Sequence, residues 1–176
     1  MDPDSTSPDS QVEVIPATPV QQPIVSNLLE LYMHDFSEFH PLDLGPDGRF
    51  GYPHLDRYWH DPGKHPFLVK VNGKWAGLVL VHRGSRISGD EDVWDVGEFF
   101  IARRHRKRGV GTEIALQIWT RFTGRWEVRV MESNAAALRF WQHAVSRFVG
   151  QSIQPLRIET GGKFWQIFAF DSKPAK

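Results

Sequence analysis

The 176-residue chain contains no cysteine. That excludes disulfides, cysteine-ligated metal centres and any mechanism that parks an acyl group on an enzyme thiol. The chain also lacks net charge, because 21 Lys and Arg balance 21 Asp and Glu. No global field therefore draws nucleic acid or an anionic membrane towards it. No apolar run approaches the ~20 residues that span a bilayer. The N-terminus has no basic start followed by an apolar core, so no secretory signal is visible. A cytoplasmic protein with neither a nucleic-acid nor a membrane partner is the expectation. Short metal-binding spacings are missing too: His34, His40, His54, His60 and His65 form no HxxxH or HxH pair. No metal site is expected.

What is present fits one α/β domain. Twelve Phe and seven Trp supply large anchors for a core or a cleft. Met1 to about Ser10 is Asp, Ser and Pro with little to bury, and reads as a disordered tail ahead of a single domain over 11–172. Val12 and Val14 suggest a strand that stops at Pro16. Ile24 to Phe39 has helical spacing, and Pro41 to Pro66 reads as a long loop with a short helix over Leu55 to Trp59. Phe67 to Val71, Asn72-Gly73 and Trp75 to His82 make the strongest hairpin signal. A third long strand is expected over Val93 to Ile101. A helix over Gly109 to Phe122, ended by Gly124, precedes a strand with Trp126, Val128 and Val130 on one face. Ser133 and Asn134 are good caps for a helix to about Arg147, and a hairpin of Gln154 to Glu159 and Phe164 to Phe170 closes the chain.

The most informative piece is Arg106-Lys107-Arg108-Gly109-Val110-Gly111, between a strand and a helix. Its glycines let the backbone turn sharply and bring N–H groups to a ligand. The next helix begins with unpaired N–H groups and the positive end of its dipole. With the flanking cations these features suit a pyrophosphate. A Walker loop is excluded, since no Lys-Ser/Thr pair follows the last glycine. A three-glycine dinucleotide fingerprint is absent as well.

On these residues the chain resembles the GNAT N-acetyltransferases. Their motif, Gln/Arg-x-x-Gly-x-Gly/Ala after the fourth strand, is matched by Arg106, Gly109 and Gly111. Glu98-Phe99-Phe100-Ile101 precedes it at the family's spacing, and Asn134, Ala137, Phe140 and Trp141 fit a second motif after the fifth strand. The resemblance implies a mixed, mostly antiparallel central sheet flanked by helices. It implies acetyl-CoA as cosubstrate, its pyrophosphate on Arg106, Lys107, Arg108, Gly109, Val110, Gly111 and Thr112, and its pantetheine arm along the backbone of Phe99, Phe100 and Ile101. Asn134 caps a helix and, in the family, often contacts the cofactor as well. The implied reaction is direct transfer of an acetyl group to a primary amine, a small molecule or a peptide, and a homodimer is compatible with it.

Glu98 sits in an otherwise apolar strand, where a carboxylate is costly unless paired or wet. It reads either as a salt-bridge partner of an arginine or as a general base of raised pKa. With regular alternation it would share a face with Trp94, Val96 and Phe100; a bulge would reverse that parity. Trp141 departs from the family, which commonly has a Tyr there to protonate the leaving thiolate. An indole cannot do so. Two rivals remain: a non-catalytic acyl-CoA-binding module, favoured by the missing Tyr, and a nucleic-acid-binding protein using the basic cluster, disfavoured by zero net charge.

Overall fold

The computed structural model describes residues 10–173; the tail read at 1–10 lies outside them except for Ser10. One seven-stranded sheet runs through the described chain in the order β1-β2-β3-β4-β5-β7-β6. Its strands are β1 (Val12–Pro16), β2 (Lys64–Val71), β3 (Lys74–Arg83), β4 (Val93–Ile101), β5 (Gly124–Met131), β6 (Leu156–Thr160) and β7 (Lys163–Ser172). Every neighbouring pair is antiparallel except β4 with β5. The helices are α1 (Gln22–Phe36), α2 (Val110–Arg121) and α3 (Ala135–Val149).

The middle strands read as continuous apolar runs because both of their faces are covered. Phe67 and Val69 of β2 and Val79 and Val81 of β3 pack on one side with Trp119 of α2 and Trp141 and Val145 of α3. Leu68, Leu78 and Leu80 face the other way, against Val25 and Leu29 of α1. The result is three layers, with α1 on one face and α2 and α3 on the other. Each fully buried Leu or Val contributes about 1.5–3 kcal/mol relative to exposure, so the two clusters hold the sheet from both sides.

Several element boundaries differ from expectation by one to three residues. Helix α1 ends at Phe36, where the Ser37 hydroxyl donates to the His34 carbonyl at 2.6 Å and competes for the last turn. Strand β2 begins at Lys64, inside the expected loop. Gly124 is the first residue of β5, with φ 126°; α2 stops at Phe122, whose extended backbone cannot continue the helix.

Two features of β4 make a cleft. First, the strand is bulged: Leu80 faces Glu98 but Val81 faces Val96, which leaves Gly97 as the extra residue. Gly97 is required there, since a Cβ would lie 2.9 Å from His82 Nδ1. Second, β4 pairs with β5 only through Val93, Trp94 and Asp95. Beyond Asp95 the strands part, and β5 continues its pairing with β7 alone. The β4 edge from Val96 to Ile101 is left open to a ligand.

Candidate active site

The parting of β4 from β5 opens a cleft of about 530 Å³. Glu98 and Phe99 line it from β4, Val128 to Met131 from β5, and Asn134, Ala137 and Trp141 from the start of α3. Tyr32, Met33 and Phe36 of α1, and Tyr52 of the loop after it, form the opposite wall. Five residues singled out in the sequence motifs, Glu98, Phe99, Asn134, Ala137 and Trp141, are thus brought to one space.

The bulge decides which way Glu98 points. Trp94 and Val96 before it belong to the core under α2 and α3, whereas Phe100 beyond it packs with the α1 cluster. Glu98 therefore shares a face with Phe100 and not with Trp94 and Val96, as regular alternation would have required. Its carboxylate accepts a hydrogen bond from the Tyr52 hydroxyl at 2.9 Å. The loop that delivers Tyr52 is pinned to α1 by Glu30, whose carboxylate accepts from the amides of Phe50 and Gly51 at 2.8 and 2.9 Å. Burial pushes the Glu98 carboxyl above its ordinary range, against the opposing pull of the Tyr32 and Tyr52 hydroxyls and of Arg86 and Arg129. Burial, together with that same carboxylate, holds both tyrosine hydroxyls protonated far above their usual range. Tyr58, behind Tyr52, is pushed up to about 12, chiefly by burial.

Arg129 reaches the cleft from β5, supported from behind. Its Nε donates to Asp95 Oδ2 at 2.9 Å, and Asp95 is completely buried. His82, also buried, places Nε2 3.4 Å from the same oxygen. Burial alone would raise the Asp95 carboxyl, but His82 and Arg129 hold it below the usual carboxylate range.

The expected cofactor loop lies at the far end of β4 and does not line this cleft. Arg103 to His105 form a short 3-10 turn, and Gly109 caps α2 in a left-handed conformation at φ 76°; Lys107 is left-handed too, at φ 61°. The helical ladder starts with the Glu113 amide on the Gly109 carbonyl at 3.0 Å. The amides of Val110 to Thr112 therefore have no acceptor within the helix and are the donors an anion would use. Gly111 has a second reason to be glycine: a Cβ would lie 2.8 Å from the Phe140 ring of α3. Arg106 is engaged within the protein. Its Nε donates to the Ile101 carbonyl at 2.7 Å, and its guanidinium pairs with Asp35 of α1, as does Arg103 at 2.7 Å. Arg106 thus braces the loop, while Lys107 and Arg108 are left exposed. Of the backbone run Phe99 to Ile101, the Ile101 carbonyl is already occupied by Arg106. The Phe100 side chain is buried on the α1 face, with its ring 6.5 Å from that of Tyr32.

Asn134 caps α3, its Oδ1 accepting from the Ala137 amide at 3.0 Å. Trp141 is almost wholly buried between Phe99, Phe140 and Trp119, with ring centroids at 4.9, 4.7 and 6.0 Å. Sequence reading missed Tyr32, Arg86 and Arg129 as cleft residues. It left His82 without a role, although that residue is part of the buried support of Arg129. Among the described residues no group of three or more His, Cys, Asp or Glu is placed to hold a metal ion, and no helix is long and apolar enough to cross a membrane.

Comparison with known proteins follows the same lines. The family model described as Acetyltransferase (GNAT) family matches residues 25–145. No curated protein matches the sequence. Among solved structures, an acetyltransferase from Thermus thermophilus is 18% identical, with TM-score 0.63, over 90% of this chain and 97% of the other. Spermidine N-acetyltransferase from Vibrio cholerae, solved with CoA and spermine, is 14% identical, with TM-score 0.63, over 92% and 96%. The protein YncA from Salmonella typhimurium, solved with acetyl-CoA, is 10% identical, with TM-score 0.64, over 92% and 94%. At these identities the likeness is one of fold.

Proposed function

The chain belongs to the GNAT acetyltransferase family, and on that premise we propose that it moves an acetyl group from acetyl-CoA directly to a primary amine, with Glu98 as general base. The observation that carries this reading is a hydrogen-bonded carboxylate of raised pKa in the cleft where β4 and β5 part.

The cosubstrate fits what the chain offers. The free amides of Val110 to Thr112 behind the left-handed Gly109 suit a pyrophosphate. The unpaired β4 edge beyond Asp95 suits an extended arm added like a strand. When bound there, acetyl-CoA supplies the acetyl group as a thioester, whose C–S bond breaks as the new C–N bond forms. An alkyl ammonium has a reference pKa of about 10.4 and attacks only as the free base. Glu98 takes the proton that the amine must lose. Its raised pKa makes it a better acceptor than an ordinary carboxylate, and Tyr52 fixes its orientation. Trp141 gives no proton to the departing sulfur. A thiol with reference pKa of about 8.5 leaves as thiolate, so the route stays open.

The test is a screen of amines with acetyl-CoA, read by thiol release and by the gain of one acetyl group on the acceptor. Turnover with at least one amine, lost in Glu98→Gln, supports the reading. Tight CoA binding with no turnover on any amine favours the rival, a non-catalytic acyl-CoA-binding module.

A further inference from the structure

The charges at the acceptor side of the cleft bear on which amine it takes. Glu98 is the only carboxylate among its described lining residues, while two arginines, Arg86 and Arg129, line it as well. Arg129 comes from β5, with its Nε spent on buried Asp95 at 2.9 Å. Its other two nitrogens make no hydrogen bond to the described residues. Arg86 comes from the loop between β3 and β4, is exposed, and makes neither an ion pair nor a hydrogen bond among the described residues. The remaining titratable groups at the wall are the protonated Tyr32 and Tyr52, and His40, which is bonded to Lys163. A partly buried guanidinium held by a buried carboxylate keeps a fixed direction, and a planar fork suits a two-oxygen anion. A polycation would meet one carboxylate and two cations in the same space, which is unfavourable.

We propose that the acceptor is an amine that also carries an anionic group, a carboxylate or phosphonate, with the amine at Glu98 and the anion between Arg86 and Arg129. Apolar Met33, Phe36, Leu42 and Trp165 complete the wall, so an apolar body between the two charged groups is accommodated. This rests on the acetyl-transfer reading above and gives it an acceptor class.

The experiment has a kinetic arm and a binding arm. In the first, thiol release is followed with the twenty L-amino acids, their matched α-carboxamides, 2-aminoethylphosphonate and spermidine. The best acid should exceed its own amide by at least tenfold in kcat/KM, and spermidine should be the poorer substrate. The ratio of carboxylate to phosphonate acceptors identifies which anion is used. Arg86→Gln should remove the preference for acid over amide while leaving CoA affinity unchanged. Arg129→Ala risks the fold, because it strands the buried Asp95 charge, so Arg129→Lys is the second variant and should weaken the same preference. In the binding arm, the CoA-saturated protein is titrated calorimetrically with the same acids, amides and spermidine. That arm reads the anion site even if no amine is turned over, so failure of the transfer reading and failure of this proposal are told apart. Equal kcat/KM for acids and amides with equal binding, or a preference for spermidine in either arm, overturns the proposal.

Discussion

At one end of β4 a continuous piece of chain, Ile101 to Thr112, turns from the strand into α2 and presents backbone amides. In the middle of the same strand, Glu98 is met by side chains from separate segments: Tyr32 of α1, Tyr52 of the following loop, Arg86 before β4 and Arg129 of β5. The first region offers backbone shape, so the proposed CoA site requires a few glycines at fixed spacing. The second is convergent, so the proposed acceptor site has scattered requirements and any one side chain can change the substrate. A family can keep the first and vary the second, and the acceptor therefore has to be argued from the second.

The largest expected effect lies in the convergent region. Glu98→Gln should lower the maximal rate by roughly a hundredfold while leaving CoA affinity nearly unchanged. The same variant has a stability signature. A carboxyl raised in the folded state contributes stability that is fully present below its unfolded pKa and lost as pH rises through the folded one. Thermal melts should therefore show Glu98→Gln gaining on the parent as pH rises from the ordinary carboxylate range towards neutrality. A variant that loses stability at neutral pH would make Glu98 a structural charge.

Next in size is the backbone region. Gly109→Val forces a β-branched residue into a left-handed conformation, at a local cost of about 1–2 kcal/mol. CoA affinity should fall at least tenfold, with the fold retained by circular dichroism. Gly111→Val must also displace the Phe140 ring. Its signature should include a loss of stability of about 1–3 kcal/mol from overpacking, which separates the two glycines. Equal, small changes in CoA affinity for both would remove the loop from the binding site.

A smaller effect sharpens the comparison further. Tyr52→Phe deletes the 2.9 Å hydrogen bond that favours ionised Glu98. The acidic limb of the pH–rate profile should move to higher pH, with a severalfold loss of rate near neutrality. The smallest effect is expected at Trp141, where Phe should cost packing against Phe99 and Trp119 more than chemistry. A loss of turnover in Trp141→Phe with stability and CoA affinity preserved would give the indole a chemical role.

The two regions also differ in how far the sequence discloses them. The strand, loop and helix from Glu98 to Phe122 form one local pattern in which periodicity, glycine spacing and a cap agree, so the elements fall where they were expected. The hairpin at Asn72-Gly73 is of the same kind. The direction of Glu98 was not legible, because the bulge at Gly97 answers to His82 on the neighbouring strand. Arg106 has the sequence setting of a phosphate ligand, yet it pairs with Asp35, 71 residues away. His82, Asp95 and Arg129 are ordinary apart and become a buried support only when β3, β4 and β5 align them. Gly124 has the composition of a helix stop, yet Phe122 has already left the helix and Gly124 opens β5, paired with Ser172.

The claim that Glu98 removes the proton from the acceptor amine is tested most directly by the pH–rate profile of the parent and of Glu98→Gln, with acetyl-CoA saturating and thiol release as the readout. Burial raises the Glu98 carboxyl, so the parent should gain rate with pH through a limb lying above the usual carboxylate range. In the variant that limb should be absent and the plateau roughly a hundredfold lower. An unchanged limb with near-normal turnover in the folded variant would contradict the account and place the base elsewhere.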